Sequence, residues 1–479
     1  MLLTEERNIT TGYDVTGKKY PRILLILSVL IGGFMTVLTE TLLNNGLPTI
    51  ARNLHVTTAT VQWLSTGYLL VIGIMVPVSA LLLYRFDSKR LYLTALTIFL
   101  VGSLLAYIAP NFSLLLVGRL IQALSVGIIM PFMQNIMILI FPAEKRGMAM
   151  GLTGIVIALA PALGPTLSGW IVDQFSWRDL FGIMVPITIA VILLTMVGMR
   201  KLIVLTHPRI DILSIIESSV GFGALLYALA TISGGHWFII GVTLLIGIIG
   251  IMLFVRRQLA MDDPMLNLHV FQSPMFTLTT VLSSLSNMAL LGMQLLVPLY
   301  LQSVFQIPAL TAGLVMIPGA LMMAIVNPIA GMIFDRSGIE KMSLVGFTIF
   351  TLATIPFVIM TPTWSLITVT LLYAIWMAGI SLIVMQLGTA GINALPSELV
   401  AHGNGVNTMA RQIGASIGTA LLITISTLGS QMSHATTKVA SSLFGYHLAF
   451  LALVILSLLG LIGTFWLRKA SRTTATVTA

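Results

Sequence analysis

Of 479 residues, 57% are hydrophobic and only 8% carry charge, against roughly a quarter charged in ordinary soluble domains. So few charges exclude a water-soluble fold, and the lack of any cysteine excludes disulfides, thiolate metal sites and cysteine nucleophiles. The net charge of +9 raises the question of nucleic acid, which the placement of the charges answers below.

In chain order, residues 1–22 are a polar, basic tail ending in Lys18, Lys19 and Arg22. Gly12 through Lys19 nearly spells a phosphate loop, but Lys19 stands where Ser or Thr binds magnesium, and no strand or soluble domain is expected around it. The apolar run from Ile23 is too long for a signal peptide and lacks a small-residue cleavage site, so it reads as a retained helix. Apolar runs then follow at 23–47, 61–84, 91–109, 112–141, 147–172, 179–199, 211–232, 237–255, 275–303, 309–334, 342–361, 364–390, 404–428 and 446–467. Each approaches or exceeds the about 20 residues that cross a bilayer. They are continuous rather than alternating, which predicts helices and not barrel strands. The expected fold class is an all-α integral membrane protein with 14 transmembrane helices.

With the N-terminus inside, 19 of the 24 Lys and Arg residues fall on the cytoplasmic side, in clusters such as Lys18-Lys19, Arg85 with Lys89-Arg90, Lys145-Arg146, Arg200-Lys201, Arg256-Arg257 and Arg468-Lys469. Only Arg52, Arg178 and Lys438 fall outside, and Arg119 and Arg411 lie within helices. That asymmetry follows the positive-inside rule. It puts both termini in the cytoplasm and accounts for the net charge without nucleic acid. None of the seven His residues pairs at helical metal-site spacing, so no metal and no cofactor are implied.

The segment Gly331 to Lys341, between spans 10 and 11, echoes Ala80 to Arg90, between spans 2 and 3. Internal repeats of this kind occur in secondary transporters, and the echo predicts a 6+2+6 organisation. The expected units are an N-terminal tail at 1–22, a six-helix bundle at 23–200, two inserted helices at 201–257, a cytoplasmic linker at 258–274, a second six-helix bundle at 275–468 and a tail at 469–479.

These residues resemble the major facilitator superfamily, and within it the fourteen-helix drug:proton antiporters. Gly331, Asp335, Arg336 and Gly338 are similar to the superfamily's conformational loop motif; in the first copy Tyr84 and Asp87 depart from it, leaving Arg85, Lys89 and Arg90. Leu116 to Ala123 resembles the Arg-containing motif of helix 4, and Ala160 to Gly169, with Pro161, Gly164, Pro165 and Gly169, resembles the antiporter motif of helix 5. Trp177 to Phe181, Pro264 to Phe271 and Asn407 to Gly414 are further family-like stretches. Glu40, beside Thr39 where the family often has Asp, resembles the lincomycin-resistance-like branch. The resemblance implies two six-helix bundles plus two inserted helices, alternating access, and proton-coupled export of hydrophobic or cationic drugs. Its partners would be small-molecule cargo, protons and membrane lipid, with a functional monomer in the plasma membrane. Export of an endogenous metabolite, lipid precursor or signalling molecule is the alternative.

Ionisable groups deep in the bilayer cost about 2.5–3.5 kcal/mol on insertion scales, so each calls for an explanation. Glu40 lies roughly 25 Å along its helix and Arg119 about seven residues from the outer end of its own, so both reach similar depth. Burial favours the neutral acid and a nearby guanidinium favours the carboxylate. A Glu40–Arg119 pair would therefore serve proton coupling, or else merely tie helices 1 and 4 together. Glu217 is expected to face packing partners or headgroups, and Arg411 to snorkel toward an inner helix end. Ala160, Gly164 and Ser168 form a small face for close packing or gating. Gln122, Gln134, Asn135, Asn287, Gln294, Asn327 and Gln386 are candidate lining of a substrate cavity, with helix-to-helix hydrogen bonding as the other reading. No segment is long enough for a nucleotide-binding domain, and acidic residues are too sparse for a membrane-embedded enzyme.

Overall fold

The computed structural model describes residues 11–13, 17–203, 211–231, 237–261, 264, 266–433, 435 and 437–477. A short antiparallel hairpin, β1 (Thr11–Tyr13) and β2 (Lys19–Pro21), pairs Gly12 with Tyr20. Gly12 and Tyr13 of the phosphate-loop-like stretch lie in β1 and Lys19 in β2, so strands stand where none was expected, and β2 runs directly into the first membrane helix. The helices are α1 (Arg22–Asn53), α2 (Thr58–Arg85), α3 (Ser88–Tyr107), α4 (Phe112–Ile140), α5 (Arg146–Gln174), α6 (Asp179–Gly182), α7 (Met184–Gly198), α8 (Ile212–Thr231), α9 (Trp237–Ala260), α10 (Pro274–Ser303), α11 (Ala309–Ser337), α12 (Ile339–Ile359), α13 (Leu366–Ser381), α14 (Gln386–Asn393), α15 (Val400–Met432) and α16 (Lys438–Val477).

Among the described residues, 12 helical segments are long and apolar enough to cross a membrane, α6 with α7 and α13 with α14 each counting as one. Shorter apolar stretches, Trp63–Met75 and Arg146–Pro161, lie within α2 and α5. Helices are the form that lets every backbone amide find a partner without water. Hydroxyls follow the same rule by turning back on their own helix, as Thr39 does to the Met35 carbonyl (2.8 Å) and Ser103 to that of Phe99 (2.8 Å). Helix starts are set by capping side chains: Thr57 for α2, Asp87 for α3, Asn111 for α4, Ser273 for α10 and Ser365 for α13.

Several helices run beyond the apolar stretches that announced them, α9 to Ala260, α15 over Val400–Met432 and α16 from Lys438 among them. α1 does not stop at residue 47 but continues through Pro48 to Asn53, since one proline removes a single hydrogen bond and need not end a helix that is packed on both sides. α16 continues past the apolar run at 467 to Val477.

Two hydrophobic cores organise the molecule. One gathers side chains between Tyr20 and Leu202, with Tyr92 stacked on Phe132 at 4.8 Å. The other is built mostly from residues after Leu266, around Tyr300, Phe350, Tyr373 and Trp376, with the Trp376 Nε1 donating to Thr354 (3.0 Å). The outer surface is as apolar as the interior: Phe238 is 84% exposed and Phe465 68%, the arrangement of a protein solvated by lipid.

α8 and α9 pack on each other, and α8 touches α2 and α15. A Cβ on Gly250 would lie 2.7 Å from the Gly221 Cα, so the two helices cross at backbone contact. Their Lys/Arg-rich end is clamped by Arg257, whose Nε and Nη2 donate to Asp211 at 2.5 and 2.9 Å. Gln258 adds a second tie, donating to Ser214 (2.6 Å) and accepting from the Leu266 amide (2.9 Å). The hydrogen-bonded Arg257 guanidinium holds the Asp211 carboxyl well below the usual carboxylate range. A carboxyl depressed by folding contributes stability at every pH above its unfolded value, and loses it only as pH falls toward the folded one. Asp211→Asn is therefore expected to lower the melting temperature by about 2 °C, equally at pH 8, 6.5 and 5. A gap between wild type and variant that changes across that range would contradict the assignment.

Candidate functional site

Arg119 is fully buried on α4, and three helices converge on it. Its Nη1 donates to the Gln122 Oε1 (3.0 Å) and the Thr39 carbonyl (3.5 Å), and its Nε to the Leu64 carbonyl (3.4 Å). The guanidinium lies 3.8 Å from the centroid of the Tyr68 ring, whose hydroxyl donates to the Thr36 carbonyl (3.5 Å). Gln122 is in turn fixed by donating to Ser103 on α3 (2.7 Å). Glu40, half-buried on α1, interacts electrostatically with Arg119. The two form no ion pair among the described residues, and the Arg119 Nη2 has no hydrogen-bond partner. The structure thus brings Glu40 and Arg119 into one neighbourhood but holds the guanidinium by carbonyls, an amide and a ring. Tyr68 escaped the sequence reading, because one aromatic residue in an apolar span carries no local signal.

The antiporter-motif residues sit beside this site. A Cβ on Gly164 of α5 would lie 2.2 Å from the Thr41 Oγ1 and 2.7 Å from its Cβ, and that hydroxyl also reaches the Ala160 carbonyl (3.4 Å). The small face of α5 therefore meets α1 one residue beyond Glu40. Pro161 is half-buried, α5 passes through Pro161 and Pro165 as one helix, and a Cβ on Gly169 would meet open space. Ser168 is fully buried with its hydroxyl unpartnered.

At the Lys/Arg-rich end, Asp335 of α11 accepts from the Gly147 and Met148 amides at the start of α5 (2.8 and 3.0 Å). A carboxylate there fills orphan donors at the positive end of a helix. Gly331 and Gly147 allow the approach, since a Cβ on Gly331 would lie 2.2 Å from the Gly147 carbonyl oxygen. Arg336 is exposed, and Gly338 (φ +73°) takes the left-handed turn into α12. The first copy is wired differently. Asp87 caps α3 through the Lys89 and Arg90 amides (3.0 and 3.2 Å) and faces Lys201 at 3.9 Å. The Lys89 ammonium reaches the Met196 carbonyl (2.5 Å), Arg90 is exposed and Arg85 half-buried.

The candidate cavity residues divide. Gln134 accepts from Thr408 of α15 (3.0 Å), joining helices from opposite ends of the chain. Asn287 donates to the Arg411 carbonyl (3.0 Å), and Asn135 to the Pro131 carbonyl in its own helix (3.0 Å). Gln386 lies between Ser381 and Gly331; with its amide turned so that the nitrogen faces the Ser381 carbonyl, it donates there and accepts from the Gly331 amide, both at 3.3 Å. Asn327 is fully buried with both amide atoms unpartnered, pressed into the gap left by Gly154. Gln294 is half-buried. Glu217 is half-buried with one carboxylate oxygen unpartnered. Arg411 does not snorkel: it is 8% exposed, 11 residues along α15, with its Nη1 4.0 Å from the Met385 sulfur. Among the described residues there is no His/Cys/Asp/Glu cluster that would hold a metal.

A bundle of apolar helices with sparse, buried polar groups can bind and pass solutes. The chain is 41% identical over 463 residues to the MFS-type transporter YcnB of Bacillus subtilis, covering 96% of this chain and 98% of that one. It is 38% identical to the lincomycin resistance protein LmrB of Listeria monocytogenes, covering 95% and 98%. The crystal structure of the human organic anion transporter MFSD10 superposes with a TM-score of 0.66 at 13% identity, over 92% of this chain and 99% of that one. Residues 29–419, from within α1 to well into α15, match the model of the Major Facilitator Superfamily, and the chain belongs to that superfamily of transporters.

Proposed function

We propose that the chain is a proton-coupled antiporter that exports hydrophobic or cationic small molecules from the cytoplasm across the plasma membrane. The observation that carries this reading is the deep, half-buried Glu40, electrostatically linked to a fully buried Arg119 that is held without it. An acid in contact with its cation would be locked as a carboxylate. One nearby but unpaired can take and release a proton, or exchange it for a cationic cargo, as its surroundings change.

The resistance function named for the Listeria relative supports a drug-like cargo, and the antiporter-motif face beside Thr41 supports exchange rather than symport. In this reading residues 23–200 and 275–468 are the two rocking bundles. The two inserted helices lie at 201–257, the Lys/Arg-rich end faces the cytoplasm with both termini, and one copy suffices for transport. The Asp335 contact with the start of α5 closes the cytoplasmic side and opens when the bundles rock.

Two experiments bear on this. In everted vesicles, addition of a hydrophobic cation such as ethidium should release protons through the wild-type protein and not through Glu40→Gln. A Glu40→Gln protein that still exports against a gradient with wild-type proton release would remove the coupling role. For the face beside it, Gly164→Ala forces the Thr41 side chain to move and is expected to cut export several-fold at unchanged membrane abundance. Adding Thr41→Gly, which removes the obstructing atoms, should restore much of the rate; a double variant no better than Gly164→Ala would disconnect that contact from transport.

A further inference from the structure

We propose that Arg411 is the anchor of an anion-binding subsite in the transport pathway, one that takes a carboxylate-bearing amphiphile. The inference rests on the export reading above and adds an anionic amphiphile to the hydrophobic and cationic cargo proposed there. Arg411 lies roughly 16 Å along the 33-residue α15, inside the apolar span His402–Met432, and is 8% exposed. Its Nε has no hydrogen-bond partner, its Nη1 meets only the Met385 sulfur at 4.0 Å, and among the described residues it pairs with no carboxylate. A thioether is a weak acceptor, and buried charges are ordinarily paired.

Arg119 shows what an answered guanidinium looks like in the same protein: two carbonyls, an amide oxygen, an aromatic ring and a nearby acid. Arg411 has none of these around its guanidinium. Its neighbours deepen the imbalance. Asn404, seven residues earlier and on the same face of α15, is 1% exposed with its Nδ2 unpartnered. Between them, Thr408 donates to the Gln134 Oε1 of α4 (3.0 Å) and Asn407 donates to the Thr280 Oγ1 of α10 (3.3 Å). In this column the Asn404 Nδ2 and the Arg411 Nε are left as spare donors, while Asn407 and Thr408 spend theirs on neighbouring helices. It lies where α15 meets α4, between the two hydrophobic cores. A group that only accepts, with negative charge and two oxygens for a guanidinium fork, is the chemistry that completes it. The apolar, methionine-bearing walls around it, Met385 included, suit the attached hydrocarbon.

The test is equilibrium binding to purified full-length protein in phosphatidylcholine nanodiscs. Tritiated dodecanoate is compared with tritiated dodecanol by scintillation proximity, without a proton gradient. Wild type is expected to prefer the carboxylate by about tenfold or more, and Arg411→Gln to bind the two alike. Arg411→Met, which keeps the packing stem without charge, serves if the glutamine variant does not fold. Because the assay reads equilibrium binding without a gradient, loss of proton coupling and loss of this subsite are separate results. A wild-type protein indifferent to the carboxylate, or a charge-free variant that retains the preference, overturns the proposal.

Discussion

Hydrocarbon offers no hydrogen bonds, so every polar group that enters the bilayer must be answered by another part of the chain. The consequences run through the whole molecule. Threonine and serine hydroxyls fold back on carbonyls one turn earlier. The α8–α9 hairpin closes its end with a two-pronged Asp211–Arg257 bridge and a glutamine tie. Arg119 is surrounded by carbonyls, an amide and a ring. Against that background the unanswered groups stand out: the Asn327 amide, the Ser168 hydroxyl, the Asn404 Nδ2 and the Arg411 Nε. In water such orphans would pass unnoticed; here each costs free energy and calls for a function, a partner that arrives, or a second conformation.

The outline of the fold was legible in the sequence for the same reason. A crossing helix needs an unbroken apolar run, and runs such as 112–141 and 275–303 end within a residue of α4 and α10. Prolines are weaker signals, because their effect depends on packing on both sides of the break, and Pro48 lies inside α1. The depth of Glu40 and Arg119 could be counted along two helices, yet their lack of contact could not, since it depends on the side-chain directions of α1, α2 and α4 together. Tyr68 was invisible for that reason. The burial of Arg411 was not legible either, since it depends on what packs around α15 and not on distance from the helix end.

The two copies of the repeated loop use one residue type for different ends. Asp335 spends its carboxylate on the first amides of α5, a helix from the other half of the chain. Asp87 spends its own on the start of α3, the helix that follows it, and on Lys201. The first is a contact between halves and the second is local, so only the first is made or broken when the halves move relative to each other. The degraded first copy, with Tyr84 where an acid is usual in the family, is consistent with that division of labour.

α5 ties these observations together. At its start it is held by Asp335, with Gly147 and Gly331 in backbone contact. One to two turns on, Gly151 and Gly154 press against Asn327 of α11. At Gly164 it presses on Thr41 of α1, next to Glu40. Interfaces without a Cβ between the backbones have no compressible layer, so a shift of α5 against α11 cannot be absorbed locally. In the antiport proposed above, a rigid helix pinned at one end by a charge and at the other against the neighbour of a deep acid would give proton occupancy and bundle closure a common mechanical element. Spatial continuity alone does not establish energetic coupling. Here it comes with a discrete contact that is either made or released, the Asp335 cap, and a bistable contact of that kind is what a two-state transport cycle requires.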